Sequence, residues 1–311
     1  MPNDQLLLFD KWQKSFINEK KVLNMSKSTI MNYNSILNKL YEYYSLHEDK
    51  IAFYEIDREF IISFLESLGD IAINTKNLHI TVIKNFFTFI SAHNKDNIDF
   101  RNRFLDLKAK AKKSDPEYLD TNEYEILVNH LNSKIKPKSF IQYRNRLTLK
   151  LLIFTGLRAS EVLSIKLEDL QIMQKEGVYK IKILGKGNKE RYVYIPVDTI
   201  VNELSFISDY ITTSTSPQYG KNILTDINQT TKGRVMLRGE LYSMIENLFK
   251  KLGIKKRGVH LLRHTFGKKM VQKNVNLSTI KELMGHENIQ TTMIYARSDE
   301  GSMIRAVKSQ N

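Results

Sequence analysis

At 311 residues the chain is long enough for two packed domains or one large one, and a composition of 41% hydrophobic and 26% charged residues is that of a folded globular protein. Forty-eight Lys and Arg against thirty-four Asp and Glu leave a formal charge of +14, which favours a polyanionic partner such as nucleic acid or an acidic membrane surface. The absence of cysteine excludes disulfides, Cys-ligated zinc and thiol nucleophiles, no run approaches the ~18 apolar residues of a membrane span, and a cytoplasmic location is expected.

Residues 6–16 predict a short first helix. Ser26 or Ser28 is placed to cap a second that runs to about His47, with Ile30, Tyr33, Ile36, Leu37, Leu40, Tyr41 and Tyr44 at helical spacing. Asp57 caps a third that stops at Gly69, a fourth starts near Asn74 and carries Leu78, Val82, Ile83, Phe86, Phe87 and Ile90, and another helix follows Asn97. Residues 1–111 therefore read as an all-helical domain. The basic run KAKAKKSDPEYL ends in Asp-Pro and breaks regular structure, so residues 112–117 read as a linker to a second domain, 118–311.

The second domain resumes with helices at about 121–132 and 138–155, the latter ending at Gly156. Between Val178 and Ile195 the period changes to two, in residues rich in Val, Ile and Tyr around a Gly-Lys-Gly-Asn turn, which predicts a β-hairpin with Lys186 at its tip. Periodic segments near 198–211, 236–252, 260–273, 277–284 and 289–296 predict helices. The expected fold class is mainly α with a small β-sheet.

Four features of this domain could carry chemistry. Arg158 follows the helix end at Gly156, and Glu161 three residues on shares its helical face. Lys186 sits between glycines that let a backbone approach a ligand. His260 and Arg263 project together while Leu261 and Leu262 face elsewhere, and an imidazole beside a guanidinium suits a phosphate better than a metal ion; His264 adjoins them. Gly285-His286 precedes Tyr295 by nine residues. Taken singly, each has an ordinary reading: an exposed ion pair, a solvated turn lysine, a packed histidine, a half-buried tyrosine.

Order and combination change that. The string Arg158, Lys186, His260, Arg263, His286, Tyr295, in the phrases TGLRASEVLSIKLEDL, HLLRHTFGKKM and LMGHENIQTTMIYA, resembles the tyrosine recombinase and phage integrase family, and the two-domain length is similar to its Xer recombinases. The resemblance covers the chain from about Tyr118 onward and, more loosely, the helices before it. It implies a helical core-binding domain and an α+β catalytic domain that clamp DNA, with Tyr295 attacking a phosphate to give a 3′-phosphotyrosyl link and a free 5′-hydroxyl. Arg158 and Arg263 would then stabilise charge on the non-bridging oxygens, His260 would accept the tyrosine proton, Lys186 would protonate the 5′ oxygen, His286 would bond a phosphate oxygen, and Glu161 and His264 would support them from behind. No metal and no cofactor is expected. The bond energy is kept in the protein linkage, and the chain has no GxxxxGK(S/T) phosphate loop, so no ATP is expected either.

The expected partner is double-stranded DNA at a specific recombination site, bound in the N-terminal domain near Lys27, Ser28, Thr29, Lys76, Arg101 and Arg103. Recombination between two duplexes takes four active sites, which implies a homotetramer formed on DNA and held by exchange of a C-terminal tail, residues 303–311. Only about sixteen residues follow Tyr295, so that element would be short. A DNA translocase or other accessory protein is a further possible partner, and no membrane is expected. Chromosome dimer resolution is the first expectation. The alternatives are an integrase or transposase of a mobile element, a type IB topoisomerase-like enzyme working as a monomer, and a DNA-binding protein without chemistry, which would be expected to lack Tyr295 or an arginine.

Overall fold

The computed structural model describes residues 4–104, 106–109, 116–185, 189–213, 225–226 and 234–295. The chain divides into two compact units, Met1–Lys113 and Ser114–Asn311, and is mainly α-helical with a small antiparallel sheet. No helix among the described residues is long and apolar enough to cross a membrane.

The first unit holds α1 (Asp4–Val22), α2 (Lys27–Ser45), α3 (Arg58–Ser67) and α4 (Ile73–His93). Helix α1 is longer than its sequence suggests, because Phe9, Gln13, Phe16 and Ile17 continue one buried face through its second half. Ser26, not Ser28, caps α2, its Oγ accepting from the Thr29 amide at 3.2 Å, and the Asp57 carboxylate caps α3 through the Phe60 amide at 2.9 Å. The segment after Asn97 forms only a 3-10 turn, Arg101–Phe104, instead of the expected helix: the Asn94 side chain ties Ile98 at both its amide and its carbonyl, leaving one turn before the chain departs. Phe9, Phe16, Phe53, Phe86, Phe87, Phe100 and Phe104 fill the core.

The second unit opens with α5 (Thr121–Leu131), which starts on a reciprocal cap: Asp120 accepts from the Glu123 amide at 2.9 Å and Glu123 accepts from the Asp120 amide at 3.0 Å. Helix α6 (Phe140–Thr155) runs through the core with Leu147, Leu151 and Leu152 fully buried and ends at Gly156, whose φ of 66° is the left-handed C-cap that glycine favours. Buried Lys150 on α6 meets Glu203 at 3.0 Å, and Arg146 reaches the same carboxylate at 3.0 Å. A short helix, α7 (Ala159–Ser164), follows.

Next comes the sheet: β1 (Leu170–Met173), β2 (Val178–Leu184) and β3 (Glu190–Pro196), in the order β1-β2-β3 and antiparallel throughout. The expected hairpin is present as β2 and β3, with Ile181 opposite Val193 and Ile183 opposite Arg191, while Lys186 lies outside the described residues. Strand β1 was not legible, since four residues show too little alternation to be told from a loop. Helix α8 (Val197–Thr213) and a two-residue ladder of β4 (Thr225–Asp226) and β5 (Arg234–Val235) lead to α9 (Arg238–Lys251), α10 (Val259–Gln272), α11 (Leu277–Met284) and the short α12 (Gln290–Met293). Residue 296 and the tail 303–311 fall outside the described residues.

Candidate active site

Two helix C-termini build this site. The last carbonyls of a helix have no partners within it and carry the negative end of its dipole, so they suit cations. At the end of α6 the Gly156 carbonyl accepts from Arg263 Nη1 at 2.7 Å. At the end of α11 the Met284 carbonyl accepts from Arg263 Nη2 at 2.6 Å, and the Gly285 carbonyl accepts from Arg158 Nη2 at 2.8 Å. Glycine is required at both turns: φ is 66° at Gly156 and 62° at Gly285, and a Cβ would strike the Phe266 ring at the first and the Arg191 side chain at the second.

The arginines share one carboxylate. Glu161, 4% exposed, accepts from Arg158 Nη1 on one oxygen at 2.7 Å and from the Arg158 amide on the other at 2.7 Å. That second oxygen also accepts from Arg191 Nη2 at 2.8 Å and lies 4.0 Å from Arg263 Nη1. Burial lowers the Arg263 pKa to about 10, helped by Arg158 and opposed by Glu161. Burial also lowers that of Arg191. Guanidiniums stay charged at neutral pH even so, and three of them around one carboxylate make a site with excess positive charge.

The histidines answer that charge by staying neutral. Burial, followed by Arg263 and Arg158, lowers the His286 pKa to about 4. That of His264 is lowered by burial and by His260 and Arg263, and that of His260, an exposed residue whose ring is only partly desolvated, by that desolvation and by Arg238, Arg263 and Arg158. His286 Nδ1 is 2.8 Å from the Thr292 hydroxyl, and its ring stacks on Tyr295 with centroids 6.3 Å apart.

Tyr295 is 2% exposed, and burial raises its pKa to about 12 against the opposing pull of Arg263 and Arg158. Its ring lies on Gly267 of α10, where a Cβ would come within 2.7 Å of it. The hydroxyl hydrogen-bonds His264 Nδ1 at 2.7 Å, so His264, and not His260, is its imidazole partner. The His260 ring is 6.5 Å from that of His264, and the residue is exposed. Arg158, Arg191, Gly285 and His286 line one cavity between β3 and α11. Among the described residues no cluster of three or more His, Asp or Glu is placed to hold a metal ion.

With paired cations, neutral imidazoles and a buried phenol, the arrangement can bind a phosphodiester and hold a nucleophile beside it. Residues 117–301 match the phage integrase family. The chain belongs to that family. It is a tyrosine recombinase, a DNA-breaking and rejoining enzyme of the Xer type. Tyrosine recombinase XerH of Campylobacter jejuni is 31% identical over 297 residues, covering 91% of this chain and 79% of that protein. Among solved structures, XerH site-specific recombinase bound to a palindromic difH substrate after cleavage aligns with a TM-score of 0.76 at 26% identity, over 93% of this recombinase and 81% of that chain. A lambda integrase tetramer bound to a Holliday junction shares the fold, with a TM-score of 0.64 at 15% identity over 94% and 79% of the two chains.

The structure thus brings Arg158, Glu161, Arg263, His264, His286 and Tyr295 together, sets His260 at the edge and leaves Lys186 undescribed. Sequence reasoning missed Arg191. The signal was present: β3 alternates, with Val193 and Ile195 buried and Glu190, Tyr192 and Tyr194 exposed, so Arg191 falls on the inward phase, where a charge needs a partner. In the first unit Lys27 and Ser28 are exposed at the start of α2, Thr29 and Lys76 are half-buried, and Arg101 is exposed and paired with Asp99 at 2.9 Å. Arg103 instead donates to the carbonyls of Tyr54 at 2.7 Å and Ile56 at 2.9 Å and covers the Phe100 ring, a structural use of its guanidinium.

Proposed function

We propose that this recombinase cuts and rejoins double-stranded DNA at a specific site through a 3′-phosphotyrosyl intermediate on Tyr295, and that it resolves chromosome dimers in the cytoplasm. The observation that carries the chemistry is the pair Arg158 and Arg263, fixed by the carbonyls ending α6 and α11 with the Tyr295 hydroxyl held on the neighbouring imidazole of His264. The dimer-resolution role rests on similarity to XerH along 91% of the chain.

In this reading the two guanidiniums take the non-bridging oxygens and stabilise the charge of the five-coordinate transition state, and His286 donates to a third position. Lys186 protonates the 5′-oxygen leaving group. In this reading His260, whose ring lies 6.5 Å from that of His264, takes the Tyr295 proton once DNA engages the site. A phenol buried at 2% exposure with a pKa near 12 is a poor nucleophile, so DNA engagement must move Tyr295 toward the phosphate and ease its deprotonation. The bond energy stays in the phosphotyrosyl link, so the cycle runs without ATP, and the two guanidiniums supply the charge stabilisation that a metal ion would otherwise give. Both units contact DNA, the first through the region of Lys27, Ser28, Thr29, Lys76 and Arg101. The active assembly is a homotetramer on DNA joined through the C-terminal tails, with direction supplied by an accessory protein such as a translocase.

The test is to incubate the protein with fragmented source DNA in EDTA, denature it, capture protein-linked ends and sequence them beside Tyr295→Phe. Enrichment of one site with protein on the 3′ end, absent from the variant, is the expected result. Adducts scattered without site preference, formed by a monomer, would replace this reading with a topoisomerase. Binding without any adduct would leave a DNA-binding protein.

A further inference from the structure

Arg191 has no role in the mechanism above, yet it lies inside the cluster that carries it. Its side chain is 13% exposed and its Nη2 lies 2.8 Å from Glu161, and with Arg158 and His286 it lines the cavity between β3 and α11. Its Nε and Nη1 are buried without a hydrogen-bond partner, an arrangement that costs stability and calls for a reason. The turn at Gly285 rests directly on it, since any Cβ there would strike Arg191 Nε and Cδ. On one side, then, Arg191 touches the carboxylate that holds Arg158. On the other it supports the turn whose carbonyl accepts from Arg158 at 2.8 Å and whose next residue is His286.

We propose that Arg191 is a positioning residue of the recombination reaction, which holds Arg158 and the Gly285–His286 turn in the arrangement that receives the scissile phosphate. The proposal rests on the recombinase reading of the site. Glu161 faces competing cations: Arg158 at 2.7 Å and, on its other oxygen, Arg263 at 4.0 Å. By occupying that second oxygen Arg191 sets the plane of the carboxylate and leaves the first to Arg158, whose side chain is 34% exposed and is held besides only by the Gly285 carbonyl. Because Nε and Nη1 are covered, Arg191 acts through these neighbours and not on the phosphate itself. A lysine cannot replace it, since one ammonium lacks the planar fork that meets Glu161 while filling the space beneath the turn.

The experiment uses full-length protein and a nicked duplex carrying the site recovered by adduct capture, with Arg191→Lys and Arg191→Met compared with wild type under single-turnover conditions at saturating DNA. Both variants are expected to form the adduct roughly 10- to 100-fold more slowly, below the ~10²–10³ lost with a donor that touches the reacting oxygen. Their DNA affinity should stay within about threefold of wild type, as for a residue that does not touch phosphate. Arg191→Met combined with Glu161→Gln should be no slower than Glu161→Gln alone, because the two act in series. An unchanged rate, a loss confined to DNA affinity, or losses that multiply would overturn the proposal. So would recovery of the variants on a duplex with sulfur as the 5′ leaving atom, which departs without a proton and would place the defect at the leaving group. In free protein the Arg158 backbone amide, which donates to the same Glu161 oxygen as Arg191, should lose exchange protection in Arg191→Met but not on mutation of exposed Arg257. If that protection is unchanged, positioning fails even where wild type forms no adduct, whereas a missing wild-type adduct alone counts against the recombinase reading.

Discussion

Replacing Glu161 by Gln removes the single negative charge among Arg158, Arg191 and Arg263 while keeping its shape. The amide has one acceptor oxygen where the carboxylate has two. Turned to keep the bonds from the Arg158 amide and Arg191 Nη2, it sets its own N–H donors against Arg158 Nη1, which now stands 2.7 Å from a carboxylate oxygen. Arg191 and Arg263, at 13% and 5% side-chain exposure, are left without a counter-charge. Breaking a buried ion pair by removing one partner costs about 3–5 kcal/mol, and the partial exposure of Arg158 places this case near about 3 kcal/mol. For a unit of this size that lowers Tm by roughly 6–12 °C. Circular dichroism reports the helices of both units, and fluorescence of Trp12, the only tryptophan of the chain and part of α1 in the first unit, follows that unit alone, so the second unit's shift is the part of the dichroism change that the fluorescence does not share. Sulfate, which binds uncovered cations in the folded state, should restore stability more in the variant than in wild type. A transition within about 2 °C of wild type, or a loss that sulfate does not reduce, would refute the shared-carboxylate argument.

Acid should weaken the second unit before its carboxylates titrate. An unfolded His286 takes a proton near pH ~6.5, but the folded one resists until about 4, so the unfolded state binds more protons in that window and stability falls as pH is lowered through it, by about 3 kcal/mol in all. Urea midpoints for wild type and His286→Gln should converge as pH drops, and parallel curves would contradict the burial of a neutral imidazole. Alkaline ultraviolet titration of wild type minus Tyr295→Phe should show one phenol ionising near 12, and a midpoint near the ordinary ~10 would mean that Tyr295 is not enclosed. Gly156→Ala should cost about 2 kcal/mol or more, because its Cβ meets the Phe266 ring as well as a left-handed φ. Gly253→Ala, with φ of 74° and open space around it, should cost only the backbone strain of about 1 kcal/mol. Equal losses in urea unfolding would remove the ring contact from the argument.

Most of the helices were legible because their causes are local. Ser26, Asp57 and Asp120 cap within three residues, Gly156 and Gly285 end helices by their own φ, and β2 and β3 alternate on either side of one turn. Where the reading missed, the deciding contact came from elsewhere in the chain or the element was too short to show a period. The first helix outran its predicted end because the face that buries Phe9, Gln13 and Phe16 goes on to bury Ile17 one residue beyond it, a packing that its own sequence does not display. Strand β1 depends on pairing with β2 rather than on its own residues.

Residue type and order were enough to read the helical class, the hairpin, the excess of positive charge and the six-residue string from Arg158 to Tyr295 that carries the family resemblance. Tertiary structure alone decided that one carboxylate serves three guanidiniums, that Arg191 enters from β3 beneath Gly285, and that the Tyr295 hydroxyl rests on His264 and not on His260. Apart from Arg158 and Glu161, those contacts join residues thirty or more positions apart, and a local pattern can place a side chain on a face of its element without recording which distant partner that face will meet.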